Sequence, residues 1–346
     1  MSGTSLDGLD IAYCKITGHN NFQLIAAATV PYPDEWRKRL KKLHKASAIE
    51  YAKTDSELGH WFGLQVQQFR AIHQGPVDCI ASHGHTVFHQ PESGFTAQIG
   101  DGNAIHAVTS VPVVCDFRRL DVALGGQGAP LVPIGDRLLF GDYGCCINLG
   151  GIANISYEQQ GERKAYDISP CNMALNRLAA EKGKEYDVDG QMARSGALLP
   201  PLLQLMESLD YYRLPPPKSL GKEWFEKTFE PLLSCPAPLE DRMRTTVEHI
   251  ALRLASAIPN GCPTVLLSGG GAHNSFLVER LRQMLPDKKI VIPDKDIIDY
   301  KEAIIFALLA WLRMNGEVNT LASVTGARID SCGGTVCGVT KVGAHS

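Results

Sequence analysis

A chain of 346 residues, 44% of them hydrophobic, exceeds the roughly 250–300 residues at which a single core stops growing, so two lobes are expected. A net charge of −3 and a sequence pI near 6.4 remove any global electrostatic case for binding nucleic acid or an anionic membrane. The longest apolar run, Ala303–Leu312, is half of the about 20 residues a bilayer crossing needs and is expected to form a buried helix. Asp7 and Asp10 stand where an export signal would carry a basic and then an apolar stretch, and the ten cysteines include no CxxC pair. Reduced thiols and a cytoplasmic location are the expectation.

Residues 9–16 (LDIAYCKI) alternate as a strand would, TGHNN turns the chain, and a second strand is expected over 24–30. Helical spacing runs from 34 to 74. VDCIASHGHT predicts a strand over 77–81 entering a glycine turn, and AVTSVPVVCDF a strand ending at Asp116. ALGGQGAPLVP (123–133) can continue neither strand nor helix and is expected to pass between lobes. That divides an N-terminal lobe of 1–120, rejoined by the tail 321–346, from a C-terminal lobe of 121–320. GCCINLGGIANISYE is two short apolar runs around Gly-Gly, a hairpin signal. KAYDISPCNMALNRLAAEKG predicts strand, turn and helix, the helix starting from a Ser169 cap followed by Pro170 and stopping at Gly183. LPPPKSLG then breaks the second half. A helix over 241–257, the strand–loop–helix TVLLSGGGAHNSFLVERLRQML, the strand KIVIP and a helix over 300–314 complete an alternation that argues α/β layers.

Three glycine turns share one chemistry: SGTSLDG (2–8), NLGGIAN (148–154) and SGGGAHN (268–274) each offer bare backbone N–H groups beside hydroxyl or amide donors. Glycine lets the main chain approach an anion, and successive N–H groups make a phosphate nest. None matches GxxxxGK[ST], and none is a GxGxxG opening a strand–helix unit, so a P-loop and a dinucleotide fold are disfavoured. In AYDISPCN, Asp167 falls at a strand exit. It reads either as a turn or capping acid or as a carboxylate placed to deprotonate a hydroxyl or water. His83, His85 and His89 raise a zinc-dependent hydrolase as a rival, with Glu92 the one acid nearby, and DVDG (187–190) hints at calcium with too few acids for a loop site.

MSGTSLDGLD, GHTVFHQP, QIGDGNAI, DFRRLDVALGGQGAPLVP, NLGGIANIS, PPPKSLGKEWF, LLSGGGAHN and SVTGA together resemble, in this order and from residue 2 to about 327, the anhydro-N-acetylmuramic acid kinases. The resemblance implies a two-lobed, actin-like (ribonuclease H-like) sugar kinase fold with ATP in the cleft between lobes. It also implies a reaction in which ATP and water open a 1,6-anhydro sugar while O6 is phosphorylated, giving N-acetylmuramic acid 6-phosphate. By the same resemblance, Gly3, Thr4, Ser5, Leu6, Asp7, Gly8, Leu9 and Asp10 match the ATP hairpin, with Asp7 or Asp10 near Mg²⁺ through water. Gly150, Gly151 and Asn154 match the second phosphate loop, and Gly269, Gly270, Gly271 and Asn274 the adenosine side. Asp167 matches the catalytic base.

Arg119, His83 and Glu302 are the substrate-binding candidates, Arg119 because a guanidinium suits a carboxylate. Without the resemblance Arg119 is equally a surface cation paired to Asp116 or Asp121, and Glu302 an acid favoured at a helix start. A homodimer is the implied assembly. Two departures stand out. Relatives carry glycines where Ser169 and Cys171 stand, which predicts lost backbone freedom and N–H access in that turn, and glutamine where His85 stands. Relatives also place a short strand before their MSGTS, so weaker nucleotide binding is expected of a chain starting at Met1. A plain kinase of an open hexose or hexosamine is the nearest alternative.

Overall fold

A computed structural model describes residues 1–3 and 6–338; Thr4 and Ser5, both nucleotide candidates, lie outside the described residues. The chain divides into two compact units, residues 1–139 with 302–346 and residues 140–301. Both crossings differ in position from the expected 120/121 and 320/321. The first comes only after the helix Val132–Leu139, where Gly135 lies so close to Ile305 that a Cβ would meet its side chain at 2.5 Å. That contact keeps the stretch after the glycine-rich passage with the first unit.

The first unit opens with a long antiparallel hairpin, β1 (Gly8–Gly18) and β2 (Asn21–Pro31). The helical stretch is two helices, α1 (Asp34–Lys42) and α2 (Ala48–Ile72), parted by a 3₁₀ turn. Ser47 caps α2 by accepting from the Glu50 N–H, a local S-x-x-E signal. The strand expected over 77–81 is only β3 (Ile80–Ala81); β4 (His85–Gln90) and β5 (Phe95–Ile99) form a second hairpin. Then come α3 (Gly102–Thr109), capped by Asp101, β6 (Val113–Cys115), α4 (Arg119–Ala123) and α5 (Val132–Leu139).

The second unit is a five-stranded sheet. A meander of β7 (Cys145–Leu149), β8 (Ile152–Gln159) and β9 (Glu162–Pro170) is extended on the far side of β7 by two parallel strands, β10 (Thr264–Ser268) and β11 (Lys289–Val291). The order β11-β10-β7-β8-β9, antiparallel only at β8, is the ribonuclease H-like arrangement. Between β9 and β10 the chain runs through α6 (Asn172–Ala179), α7 (Gln191–Ser195), α8 (Pro200–Glu207), the short α9 (Lys222–Trp224) and α10 (Glu230–Leu233), and α11 (Leu239–Ala257). Met243, Val247, Ile250, Ala251 and Leu254 fall on one face of α11 and are fully buried against the sheet core, the larger side chains contributing roughly 1.5–3 kcal/mol each. After β10 follows α12 (Ser275–Met284), and after β11 comes α13 (Lys295–Met314), five residues longer at its start than expected and carrying the second crossing.

The returning segment adds α14 (Ala322–Thr325) and β12 (Thr335–Cys337), which pairs antiparallel with β6. Asp121 fixes this return: its carboxylate accepts from the Gly128 N–H at 2.7 Å and from the Thr325 hydroxyl at 2.7 Å. The two sequence stretches DFRRLDVALGGQG and SVTGA thus meet through one buried acid. No disulfide joins the ten cysteines, and no helix among the described residues is long and apolar enough to cross a membrane.

His85 lies buried in the first unit with Nδ1 3.2 Å from the Ser2 hydroxyl, which is itself 2.7 Å from the Tyr32 hydroxyl. Burial lowers the His85 pKa to about 4. The unfolded chain therefore takes up this proton first, from about pH 6.5 downward. The histidine's share of stability is whole above that pH and is lost as pH falls toward 4. Denaturant unfolding at pH 7 and pH 5 is expected to show a loss smaller by about 1–2 kcal/mol in His85→Gln than in the parent chain; equal losses would dismiss the titration.

Candidate active site

In the second unit the candidate residues gather at one end of the sheet. β7 and β10 are parallel neighbours with Ser268 opposite Asn148, so the Gly150–Gly151 and Gly269–Gly271 turns leave adjacent strand ends. In open α/β sheets such ends, where connections diverge, are where ligands bind. The turns need glycine because they touch: Gly269 has φ +78°, and a Cβ there would sit 2.3 Å from Asn148 Oδ1; one on Gly271 would sit 2.8 Å from Leu149 Cβ. Asn172 joins them, donating from Nδ2 to the Leu149 carbonyl at 2.9 Å. Behind the β10 exit, buried Lys301 reaches the Ser268 hydroxyl at 3.3 Å. Asn274 follows the third glycine turn. It is buried, its Oδ1 caps α12 by accepting from Leu277 N–H at 3.0 Å, and Gly190 packs tightly behind it.

Asp167 belongs to the same end of the sheet. It lies opposite Asn154 on β8, with Ile168 bulged out of the ladder. Its Oδ2 accepts from the Leu220 N–H at 2.8 Å, its own N–H donates to the Lys218 carbonyl at 3.1 Å, and the Tyr211 hydroxyl donates to its carbonyl at 2.6 Å. Burial raises the Asp167 pKa, and the Leu220 N–H partly opposes that. A carboxylate so placed is a better proton acceptor than an exposed one. The whole grip comes from residues 211–220, two of its three partners from PPPKSLG, a segment whose role the sequence did not reveal. A rigid proline run followed by donors that must find partners elsewhere was the available signal.

The turn after Asp167 corrects the expected helix start. Ser169 and Pro170 still pair with Ala153 and Ile152, so the strand continues through them and α6 starts at Asn172 behind Cys171. The Ser169 hydroxyl caps nothing and is buried without a hydrogen bond among the described residues. The N–H groups of Cys171, Asn172 and Met173 go to the Gly150 and Gly151 carbonyls, and neither Ser169 nor Cys171, the latter at φ −128°, is left-handed.

In the first unit, Gly3 and Asp7 are exposed and Leu6 is half-buried at φ +60°. Gly8 and Leu9 are structural: a Cβ on Gly8 would meet the Val30 carbonyl at 2.6 Å, and Leu9 is buried in the core. Asp10 accepts from the Thr29 hydroxyl at 2.6 Å. Arg119 pairs with Asp116 at 3.3 Å and stays half exposed, while its neighbour Arg118 is tied to His83 Nε2 at 2.9 Å and to the Gly128 carbonyl at 2.7 Å. Glu302 is exposed but lies in the interior of α13, which starts at Lys295 rather than beside it as expected, and its charge acts on Arg118 and the Met1 ammonium. Arg119 also borders a pocket of about 750 Å³ whose walls include Tyr51, Phe88, Phe95 and Val122.

The rival metal readings fail. His83 Nδ1 donates to the Gly84 carbonyl at 2.9 Å while Nε2 accepts from Arg118, His85 bonds Ser2, and His89 bonds Thr96 at 3.0 Å. In DVDG, Asp187 accepts from the Met192 and Ala193 N–H groups. Among the described residues no group of three or more His, Cys, Asp or Glu side chains could hold a metal ion.

The sequence profile of the family described as anhydro-N-acetylmuramic acid kinase matches residues 1–338. The chain is 37% identical to the anhydro-N-acetylmuramic acid kinase of Gloeobacter violaceus, covering 94% of each, and 37% identical to that of Vibrio cholerae, covering 96% of each. A solved ROK family protein from Streptococcus pneumoniae, in complex with sucrose, overlays 89% of this chain and 99% of its own at 11% identity, but its TM-score of 0.32 is too low to bear on the fold. Matched by the profile over nearly its full length, the chain belongs to the anhydro-N-acetylmuramic acid kinase family.

Proposed function

We propose that this chain is an ATP-dependent kinase of 1,6-anhydro-N-acetylmuramic acid. It opens the anhydro ring with water, phosphorylates O6 and so returns a cell-wall sugar to metabolism as N-acetylmuramic acid 6-phosphate. Family membership carries this reading, and Asp167 supports it as a partly buried carboxylate with a raised pKa and one oxygen already held. In this reading Asp167 takes a proton from water as that water attacks C1. The C1–O6 bond breaks, and O6 takes the γ-phosphoryl group as the bond to ADP breaks. Positioning supplies most of the rate.

The glycine turn after β7 allows close backbone approach for phosphates, and that after β10 allows it for the adenosine side. Asp7 and Asp10 fit a Mg²⁺ held mainly by phosphate and water, since one carboxylate is exposed and the other, among the described residues, bonds a single hydroxyl. The ion would neutralise developing phosphate charge. The apolar walls of the Arg119 pocket suit a sugar ring and its acetyl group, and the guanidinium suits the lactyl carboxylate. The resemblance extends the proposal to a homodimer in the cytoplasm.

Incubation with ATP, Mg²⁺ and the anhydro sugar in ¹⁸O-water is expected to place label at C1 and phosphate at O6. Phosphorylation of an open hexosamine with the anhydro sugar untouched would favour a simple sugar kinase instead. Asp167→Asn is expected to lower kcat by about 10²–10⁴-fold, with ATP affinity within a few-fold by calorimetry; full turnover would remove Asp167 as the base. Arg119→Ala is expected to raise the sugar KM about 10–100-fold and leave that for ATP alone. Equal rises in both would contradict its assignment to the sugar.

A further inference from the structure

The three hydrogen bonds that hold Asp167 in place from outside its own sheet all come from one stretch, residues 211–220. That stretch is closed on itself and anchored. Lys218 donates from Nζ to the Tyr211 carbonyl at 3.2 Å and lies 4.7 Å from the centre of the Tyr211 ring and 5.9 Å from that of Tyr166. Next to Tyr211, the Tyr212 hydroxyl is 2.8 Å from His249 Nε2, and His249 Nδ1 is 2.5 Å from Glu207 Oε1. The carboxylate can only accept, so Nδ1 carries the hydrogen and Nε2 accepts from Tyr212. Burial lowers the His249 pKa, which keeps the ring neutral in that role. Arg253 pairs with Glu207 and lies 5.0 Å from the Tyr212 ring centre, so the acid of this chain is itself charge-balanced.

We propose that residues 211–220 form a clamp that sets the rotamer and basicity of Asp167, with Tyr211 and Lys218 as positioning residues. This rests on the reading of Asp167 as the base. Tyr211 pins the backbone at the end of β9, and Lys218 holds Tyr211 through its carbonyl and ring. The Leu220 N–H then occupies Oδ2, leaving Oδ1, which has no hydrogen bond among the described residues, to receive the proton from water. A base with two interchangeable oxygens would spread over rotamers; one oxygen fixed by an N–H presents the other in a single direction. The same bond favours the charged carboxylate, so loosening the clamp removes a force that opposes the burial shift.

The test uses the full chain as Tyr211→Phe, Lys218→Met and Lys218→Arg. Removal of the Tyr211 hydroxyl is expected to lower kcat about tenfold or more with both KM values within twofold, and to move the acidic limb of the kcat profile to higher pH. Lys218→Met is expected to do the same, with Lys218→Arg recovering most of the loss. Carboxyl-carbon NMR of Asp167 gives a second reading that needs no turnover: its titration is expected to move upward in Tyr211→Phe and Lys218→Met. Unchanged kcat and an unchanged Asp167 titration would overturn the clamp. So would a rise in the sugar KM with kcat preserved, since that would make the segment a binding surface. Absence of kinase activity in the parent chain would sink the functional reading alone, while the NMR titration would still decide whether the clamp controls this acid.

Discussion

The parallel pairing of β7 with β10 is the constraint on which the second unit's site depends. Because Ser268 stands opposite Asn148, the chain leaves both strands side by side, and the turns that follow must share one small space. A side chain at 269 or 271 would collide with Asn148 or Leu149, so glycine is required by packing before any ligand is considered. The bare backbone that results is what an anion can approach. Asn172 then locks the arrangement by taking the Leu149 carbonyl, a buried acceptor that the ladder leaves over at the strand's end.

Two neighbouring arginines in the first unit show how geometry sorts like residues into different work. Arg118 is bound to His83 and to the Gly128 carbonyl, so moving it would leave buried polar groups without partners. Arg119 holds Asp116 at 3.3 Å from a half-exposed position, and an exposed pair of that kind contributes at most about 1 kcal/mol. A cation so lightly held can be surrendered to an incoming carboxylate at small cost. Sequence adjacency places the two on different sides of a helix start, which is why one belongs to the core and the other to the pocket rim.

Asp167 is governed by opposing terms of the same origin. Taking a carboxylate out of water favours its neutral form, and a single N–H from Leu220 favours the charged one. An acid buried without that donor would lose ionisation, and an exposed one would lose basicity. The segment that supplies the donor lies more than forty residues away in sequence, and it is held by a Tyr–His–Glu chain with no other evident duty.

What the sequence determined by itself was whatever is decided among near neighbours. The hairpin at Gly150–Gly151, the buried run of α13 and the family were all legible, because turn chemistry and apolar period are local, whereas Asp167, expected at a strand exit, lies inside β9. The tertiary structure decided the partners. Ser169 and Pro170 carry a good helix-start signal, yet cross-strand pairing with β8 kept them in the sheet; Asn274 stands in a glycine turn, yet its Oδ1 went to capping α12 by accepting from the Leu277 N–H. The three histidines were separated by bonds to Gly84, Arg118, Ser2 and Thr96. The grip on Asp167 came from a proline-rich stretch 53 residues downstream. Hydrogen bonds and close contacts depend on where distant segments arrive, and no local propensity records that.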